Sequence, residues 1–122
     1  MTTKQRRDGD RGEALIANYL EKEGFTILER NYRKPFGEID LIAHKGDLLV
    51  FVEVKLRSSH YFDLEELIVP AKQRRIILTA KAYLAAQKTI DNICRFDVAL
   101  VEIIGNNSDI TYIADAFQAY DG

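Results

Sequence analysis

The sequence predicts an α/β fold, a mixed β-sheet flanked by helices in the order αβββαββ. Three observations predict it. Apolar residues recur at helical spacing in two separate stretches, about 10–23 and from Pro70 onward. Three β-rich runs joined by turn residues lie between them, and two more follow the second stretch. Helical and extended patterns that interleave along one chain bury their apolar faces most simply as helices laid on a sheet.

Each element has its own signal. Leu15, Ile16, Tyr19 and Leu20 share one helical stripe, and Gly24 follows as a stop, so residues 10–23 read as an amphipathic helix. FTILERNYR (25–33) is rich in β-formers and reads as a strand. GEIDLIA (37–43) alternates, and LLVFVEVKL (48–56) is an almost continuous apolar run; HKGD between them has hairpin-turn chemistry. These three strands form an antiparallel meander. RSSHYFDLEEL (57–67) is polar and irregular. Pro70 stands where a helix can start, and AKQRRIILTAKAYLAAQK carries Ile76, Ile77, Ala80, Tyr83 and Leu84 on one stripe. CRFDVALVEII (94–104) reads as a strand, GNNSD as a turn and ITYIADAF (110–117) as the last strand.

The chain of 122 residues suits a single domain, 1–122, and 47% apolar residues suffice for a core. No apolar run approaches the roughly 20 residues of a membrane span. The basic N-terminus has no apolar segment after it, so no secretory signal is expected. Cys94 is the one cysteine, which excludes an internal disulfide and fits a reducing cytoplasm; it is expected as a small core residue. One cysteine and two histidines exclude a zinc-finger type site. His44 and His60 fall in turn or loop segments and receive no chemistry. The net charge of −2 argues against broad nonspecific nucleic-acid binding. Beyond residue 90, Arg95 stands alone against six acidic residues, so any anion-binding face comes from the first three quarters of the chain.

Charged residues interrupt the two strands that should be driest. Strict alternation places Glu38, Asp40 and Ile42 on one face and Ile39, Leu41 and Ala43 on the other. In the next strand Phe51, Glu53, Lys55 and Arg57 share a face, opposite the aliphatic set Val50, Val52, Val54 and Leu56. Glu53 and Lys55 then lie about 7 Å apart along the strand, and hairpin pairing brings Asp40 beside them. Two close carboxylates raise one pKa unless a cation lies between them. Mg²⁺ is often held by one or two carboxylates with water and substrate phosphate. Asp40, Glu53 and Lys55 on one hairpin therefore suffice for metal-assisted phosphodiester hydrolysis. A solvent-facing ion pair of Lys55 with Glu53 or Asp40 is the alternative.

G-E-I-D-L-I followed by F-V-E-V-K-x-R resembles the PD-(D/E)xK nuclease superfamily, and in detail its small YraN-like bacterial family. The resemblance covers nearly the whole chain: Gly9 to Ala14 with Tyr19-Leu20, Asn31 to Arg33, both strand motifs, Lys72, and Arg95 to Val98. It implies a restriction endonuclease-like sheet similar to Holliday-junction resolvases. Asp40 and Glu53 become ligands of Mg²⁺ or Mn²⁺, the Val54 carbonyl a further ligand, and Lys55 the catalytic lysine. Glu13 matches a glutamate that resolvase-like members supply from the first helix; the other reading is a first-turn glutamate favoured by the helix dipole. Lys72 falls where the superfamily often has Lys or Gln at the site, or is a solvated member of a basic cluster. Arg57 contacts phosphate or is solvated at a strand end. Asp97 is expected to hydrogen-bond within the structure. Where the family usually has Phe-Gly after the E-V-K strand, this chain has Phe62-Asp63, a negative charge near the expected phosphate path.

Three functional readings follow. The first is a Mg²⁺- or Mn²⁺-dependent nuclease acting on DNA, structured or branched DNA included. Lys72, Arg74, Arg75 and the N-terminal Lys4, Arg6, Arg7 and Arg11 then meet phosphates. A homodimer is expected if the resolvase analogy holds, since cutting two strands symmetrically needs two sites. The second is a non-catalytic nucleic-acid-binding or adaptor protein that keeps the nuclease fold. The third is a structural partner subunit.

Overall fold

The computed structural model describes residues 3–57, 68–87 and 92–119, and for residues 3–6 and 8 the backbone alone. Its elements are α1 (Thr3–Lys22), β1 (Thr26–Lys34), β2 (Gly37–Lys45), β3 (Leu48–Leu56), α2 (Pro70–Gln87), β4 (Ile93–Ile104) and β5 (Asn107–Phe117). The expected order αβββαββ holds. All five strands form one sheet in the order β1-β2-β3-β4-β5. β3 and β4 run parallel, with α2 in the connection between them; the other neighbours are antiparallel.

Both faces of the sheet are covered, which explains why β3 is apolar almost throughout. On one face, Ile16, Ala17 and Leu20 of α1 pack on Leu41, Ala43, Val50, Val52, Ala99 and Val101. On the other, Ile76, Ala80 and Tyr83 of α2 pack on Ile39, Ile42, Leu49, Phe51, Phe96, Val98 and Leu100. The face bearing Phe51 and Glu53 is therefore core as well.

Two glycines set how closely the helices approach. A Cβ on Gly12 would lie 3.0 Å from Leu56 Cδ2, so α1 is seated tightly on β3. A Cβ on Gly37 would lie 2.6 Å from Thr79 Oγ1 and 2.9 Å from the Arg75 carbonyl, so the start of β2 is wedged against α2. Thr79 is itself fully buried and donates its hydroxyl proton to the Arg75 carbonyl at 2.7 Å.

α1 starts seven residues earlier than the spacing predicts. Its end is as expected. Gly24, at φ 96°, closes the helix with Phe25 N–H donating to the Leu20 carbonyl at 2.9 Å and Gly24 N–H to the Glu21 carbonyl at 3.0 Å. α2 starts at Pro70, where the missing N–H costs nothing. The β2–β3 turn is shorter than HKGD: β2 runs through His44 to Lys45, and Gly46, at φ 58°, supplies the left-handed residue. β5 starts at Asn107, within the stretch read as a turn.

Two expectations fail. Cys94 is exposed, because it precedes the part of β4 that the helices cover. Strict alternation in β2 also breaks. Ile39 and Ile42 share one core while Leu41 and Ala43 share the other. The break falls at Asp40, opposite Asn31, which adopts φ 54° in β1. The pairs Arg30↔Leu41 and Tyr32↔Ile39 flank this irregularity.

Candidate active site

The break in alternation builds the site. β2 and β3 pair from Lys45↔Leu48 to Leu41↔Val52 and then part. Asp40 fills the fork that opens: its Oδ2 accepts the Val54 N–H at 2.8 Å, in place of a ladder carbonyl. The N–H and C=O of a strand residue leave the same edge. The Val54 carbonyl therefore faces the same fork.

Glu53 is 7% exposed, on the α2 side of the sheet. Its Oε1 lies 2.7 Å from Lys72 Nζ, which reaches down from the first turn of α2. Burial, and then the Glu53 charge, raise the Asp40 pKa to about 7; the Val54 N–H opposes them, and Glu13 and Glu38 add to the rise. The Glu53 charge thus reaches Asp40, although the two strands have already parted there and the expected same-face hairpin pairing does not extend to this pair.

The two lysines of the site are driven apart in basicity. Burial and then the neighbouring Lys72 charge lower the Lys55 pKa. Burial also opposes charge on Lys72, yet its hydrogen bond and ion pair with Glu53 outweigh that and raise its pKa. Lys72 therefore keeps its proton and Lys55 gives its own up more readily.

Glu13 stands half-buried at the margin, its Oε2 accepting Asn31 Nδ2–H at 3.1 Å. Burial raises its pKa, with the Asn31 hydrogen bond opposing. Asn31 thus performs two tasks that the sequence reading did not assign: it takes the left-handed conformation beside Asp40 and holds Glu13. Asparagine within a β-rich run was the signal, since it tolerates positive φ better than its neighbours.

The basic residues separate. Arg57 is exposed at the end of β3, close enough to Lys55 for its charge to lower that pKa. Lys72 and Arg75 line a cleft beside the β1–β2 turn, whereas Arg74 lines a different hollow with Pro70, Leu78 and Gln118. Arg11 donates to the Gly105 carbonyl in the β4–β5 turn at 3.2 Å. Arg7 is exposed on α1. The side chains of Lys4 and Arg6, and the segment with His60 and Phe62-Asp63, lie outside the described residues.

Asp97 belongs to a separate network on the α1 side. It is fully buried, and four donors fill its carboxylate. Arg95 Nε–H and Nη2–H donate at 2.9 Å each, Asp115 N–H donates at 2.9 Å, and the Tyr112 hydroxyl donates as well. Tyr112 stacks on Tyr19 of α1, with ring centroids 5.3 Å apart. These contacts fit the hydrogen-bonding role expected for Asp97.

The donor set at the fork and beside it is all oxygen: the Asp40 carboxylate, a backbone carbonyl and, on the α2 side, the Glu53 carboxylate. It fits a hard divalent cation that draws its remaining ligands from water and phosphate. Among the described residues no group of three or more His, Cys, Asp or Glu side chains gathers in metal-binding geometry. A cation held here would thus rest on Asp40 and Glu53 as its carboxylates. Among the described residues, no helix is long and apolar enough to cross a membrane.

Residues 12–101 match the model of the Uncharacterised protein family UPF0102. A UPF0102 protein of Syntrophus aciditrophicus is 45% identical over 117 residues, covering 95% of this chain and 92% of the relative. One from Alkaliphilus metalliredigens is 46% identical, covering 89% and 96%. One from Geobacter metallireducens is 42% identical, covering 90% and 91%.

Proposed function

The chain belongs to the uncharacterised protein family UPF0102, and from its site we infer that it is a Mg²⁺- or Mn²⁺-dependent nuclease hydrolysing phosphodiester bonds of DNA. One observation carries this reading: the Asp40 carboxylate fills a fork between two strands at 2.8 Å from the Val54 N–H, beside the buried Glu53, whose carboxylate is held by Lys72 at 2.7 Å. Placement in the PD-(D/E)xK nuclease superfamily is part of the same proposal, supported by the order of motifs from Gly37 to Arg57.

Asp40, Glu53 and the Val54 carbonyl would hold the ion. When bound, it lowers the pKa of a water and stabilises charge developing on the phosphate. Lys55 takes the proton of the attacking water at Nζ, since it is the amine more easily left neutral. Lys72 stays charged, fixes the Glu53 carboxylate and offsets negative charge near it. Arg57 meets a neighbouring phosphate, and Glu13 borders the site with Asn31 orienting its carboxylate. The acidic neighbours of Asp40 would repel a phosphate chain unless a cation intervened, which favours a metal-dependent reaction over a lysine-only one.

A second reading has its own support. The Lys72 ammonium already neutralises Glu53 at 2.7 Å. A site balanced from within suits a non-catalytic nucleic-acid-binding or adaptor protein. The experiment that separates the two readings is cleavage of duplex, single-stranded and four-way-junction DNA with Mg²⁺, Mn²⁺ or EDTA. The nuclease reading expects cutting of at least one DNA with metal and none with EDTA. Binding without cleavage under every condition would leave the adaptor reading standing.

A further inference from the structure

A cleft of about 490 Å³ opens beside the carboxylate fork, between the β1–β2 turn and the N-terminal part of α2. Arg33, Lys34, Lys72 and Arg75 line it; Glu38, its one acidic residue, lies 3.0 Å from Arg33. Lys72 is the shared wall, since its amine is also the partner of Glu53. Phe36 lines the cleft from the tip of the turn and is 39% exposed.

A single exposed aromatic is ordinary on a protein surface. This one is set apart by its support and its surroundings. Pro35 precedes it and fixes the backbone of the turn. Gly37 follows it and is wedged against Thr79 and the Arg75 carbonyl. The ring is therefore presented from a backbone pinned at both sides, so little ordering is lost when something stacks on it. Around it stand four cations, and the volume is in the range of pockets that enclose a small organic ligand, about 300–1,000 Å³. An aromatic face among cations is how proteins hold unpaired nucleotides: the base stacks and the phosphates meet the charges.

We propose that this cleft holds an unpaired nucleotide next to the phosphate that is cut, with its base stacked on Phe36 and its phosphates against Lys34 and Arg75. The preferred substrate is then DNA with a single-stranded flap or a splayed junction arm, and not continuous duplex. Paired bases cannot reach the ring without unstacking, which disfavours intact duplex at this cleft. The proposal rests on the nuclease reading for the word "cut", while its binding content stands on the cleft itself.

The test is fluorescence anisotropy of the full chain in EDTA with two DNAs, a duplex and the same duplex carrying a short single-stranded flap. The flap has 2-aminopurine at its first unpaired position. The wild type is expected to bind the flap about tenfold more tightly than the duplex, with quenching of the 2-aminopurine. Phe36→Ala removes the preference and the quenching; Phe36→Trp restores both. Equal affinity for the two DNAs in the wild type, or a preference that survives in Phe36→Ala, overturns the proposal. Cleavage of the same DNAs with Mn²⁺ separates the two claims. Cutting without flap preference sinks the cleft alone. Flap preference and quenching without cutting sink the nuclease reading and leave the cleft as a binding site.

Discussion

Asp40 crosses the fork between β2 and β3 to accept the Val54 N–H at 2.8 Å. A side chain thus takes the place of a ladder hydrogen bond, and it does so where the other oxygen of the carboxylate and the Val54 carbonyl can face a common point. The same placement buries Asp40 and sets it against Glu53, which is why its pKa rises to about 7.

That rise predicts a pH dependence of stability. The folded pKa lies above the ordinary 3.8, so the folded state binds the extra proton between these values. Stability contributed by protonated Asp40 is complete below about pH 4 and is lost as pH rises through about 7. The full difference is ~4 kcal/mol if taken from the shift alone. Urea unfolding at pH 5 and pH 8, without divalent ions, should show the wild type losing stability through this rise relative to Asp40→Asn. Identical pH profiles for the two proteins would remove the buried-pair account.

A cation in the fork reverses that penalty, because it favours the ionised carboxylate. Mn²⁺ should therefore raise the melting temperature of the wild type more at pH 8 than at pH 5. Asp40→Asn and Glu53→Gln should each show little or no shift. Equal stabilisation of the variants would place the ion elsewhere.

Asp97 holds a different kind of carboxylate site, with every lone-pair direction answered by a donor. Asp97→Ala leaves Arg95 and the Tyr112 hydroxyl without their partner beneath α1. Breaking a buried pair of this kind costs about 3–5 kcal/mol. Chemical denaturation should show that loss, whereas Tyr112→Phe should cost about 1–3 kcal/mol.

The glycines divide by their surroundings. Nothing lies within 4 Å of a Cβ on Gly9, which is helical, so Gly9→Ala should stabilise by about 0.5–1 kcal/mol. A Cβ on Gly37 meets backbone at 2.9 Å, so Gly37→Ala should destabilise by about 1–3 kcal/mol. Thermal melts of the two variants read out the opposite signs.

Much of this architecture was legible from local chemistry. Pro70 and Gly24 are physical punctuation, and they fall where α2 starts and α1 closes. That Asp40 and Glu53 lie on consecutive strands of one hairpin was also legible, because the short turn between β2 and β3 leaves little freedom in their order. What stayed hidden depends on contacts distant in sequence. The alternation of β2 fails at Asp40 because the strand leaves its neighbour there, beside a left-handed Asn31. Lys72 could be placed on a helix from its spacing, but its bond to Glu53 depends on how α2 crosses the sheet. Two of the four donors to Asp97 come from β5, and no local pattern announces them. Cys94 looked apolar and small, and only the extent of helix cover leaves it exposed.

The most direct measurement is the single-turnover rate of DNA cleavage with Mn²⁺ for the wild type, Asp40→Asn, Glu53→Gln and Lys55→Ala. Metal-dependent cutting by the wild type that falls by about 10²-fold or more in each variant is the predicted result. Cleavage at the wild-type rate by Asp40→Asn or Glu53→Gln, or none by the wild type on any DNA, would contradict the account.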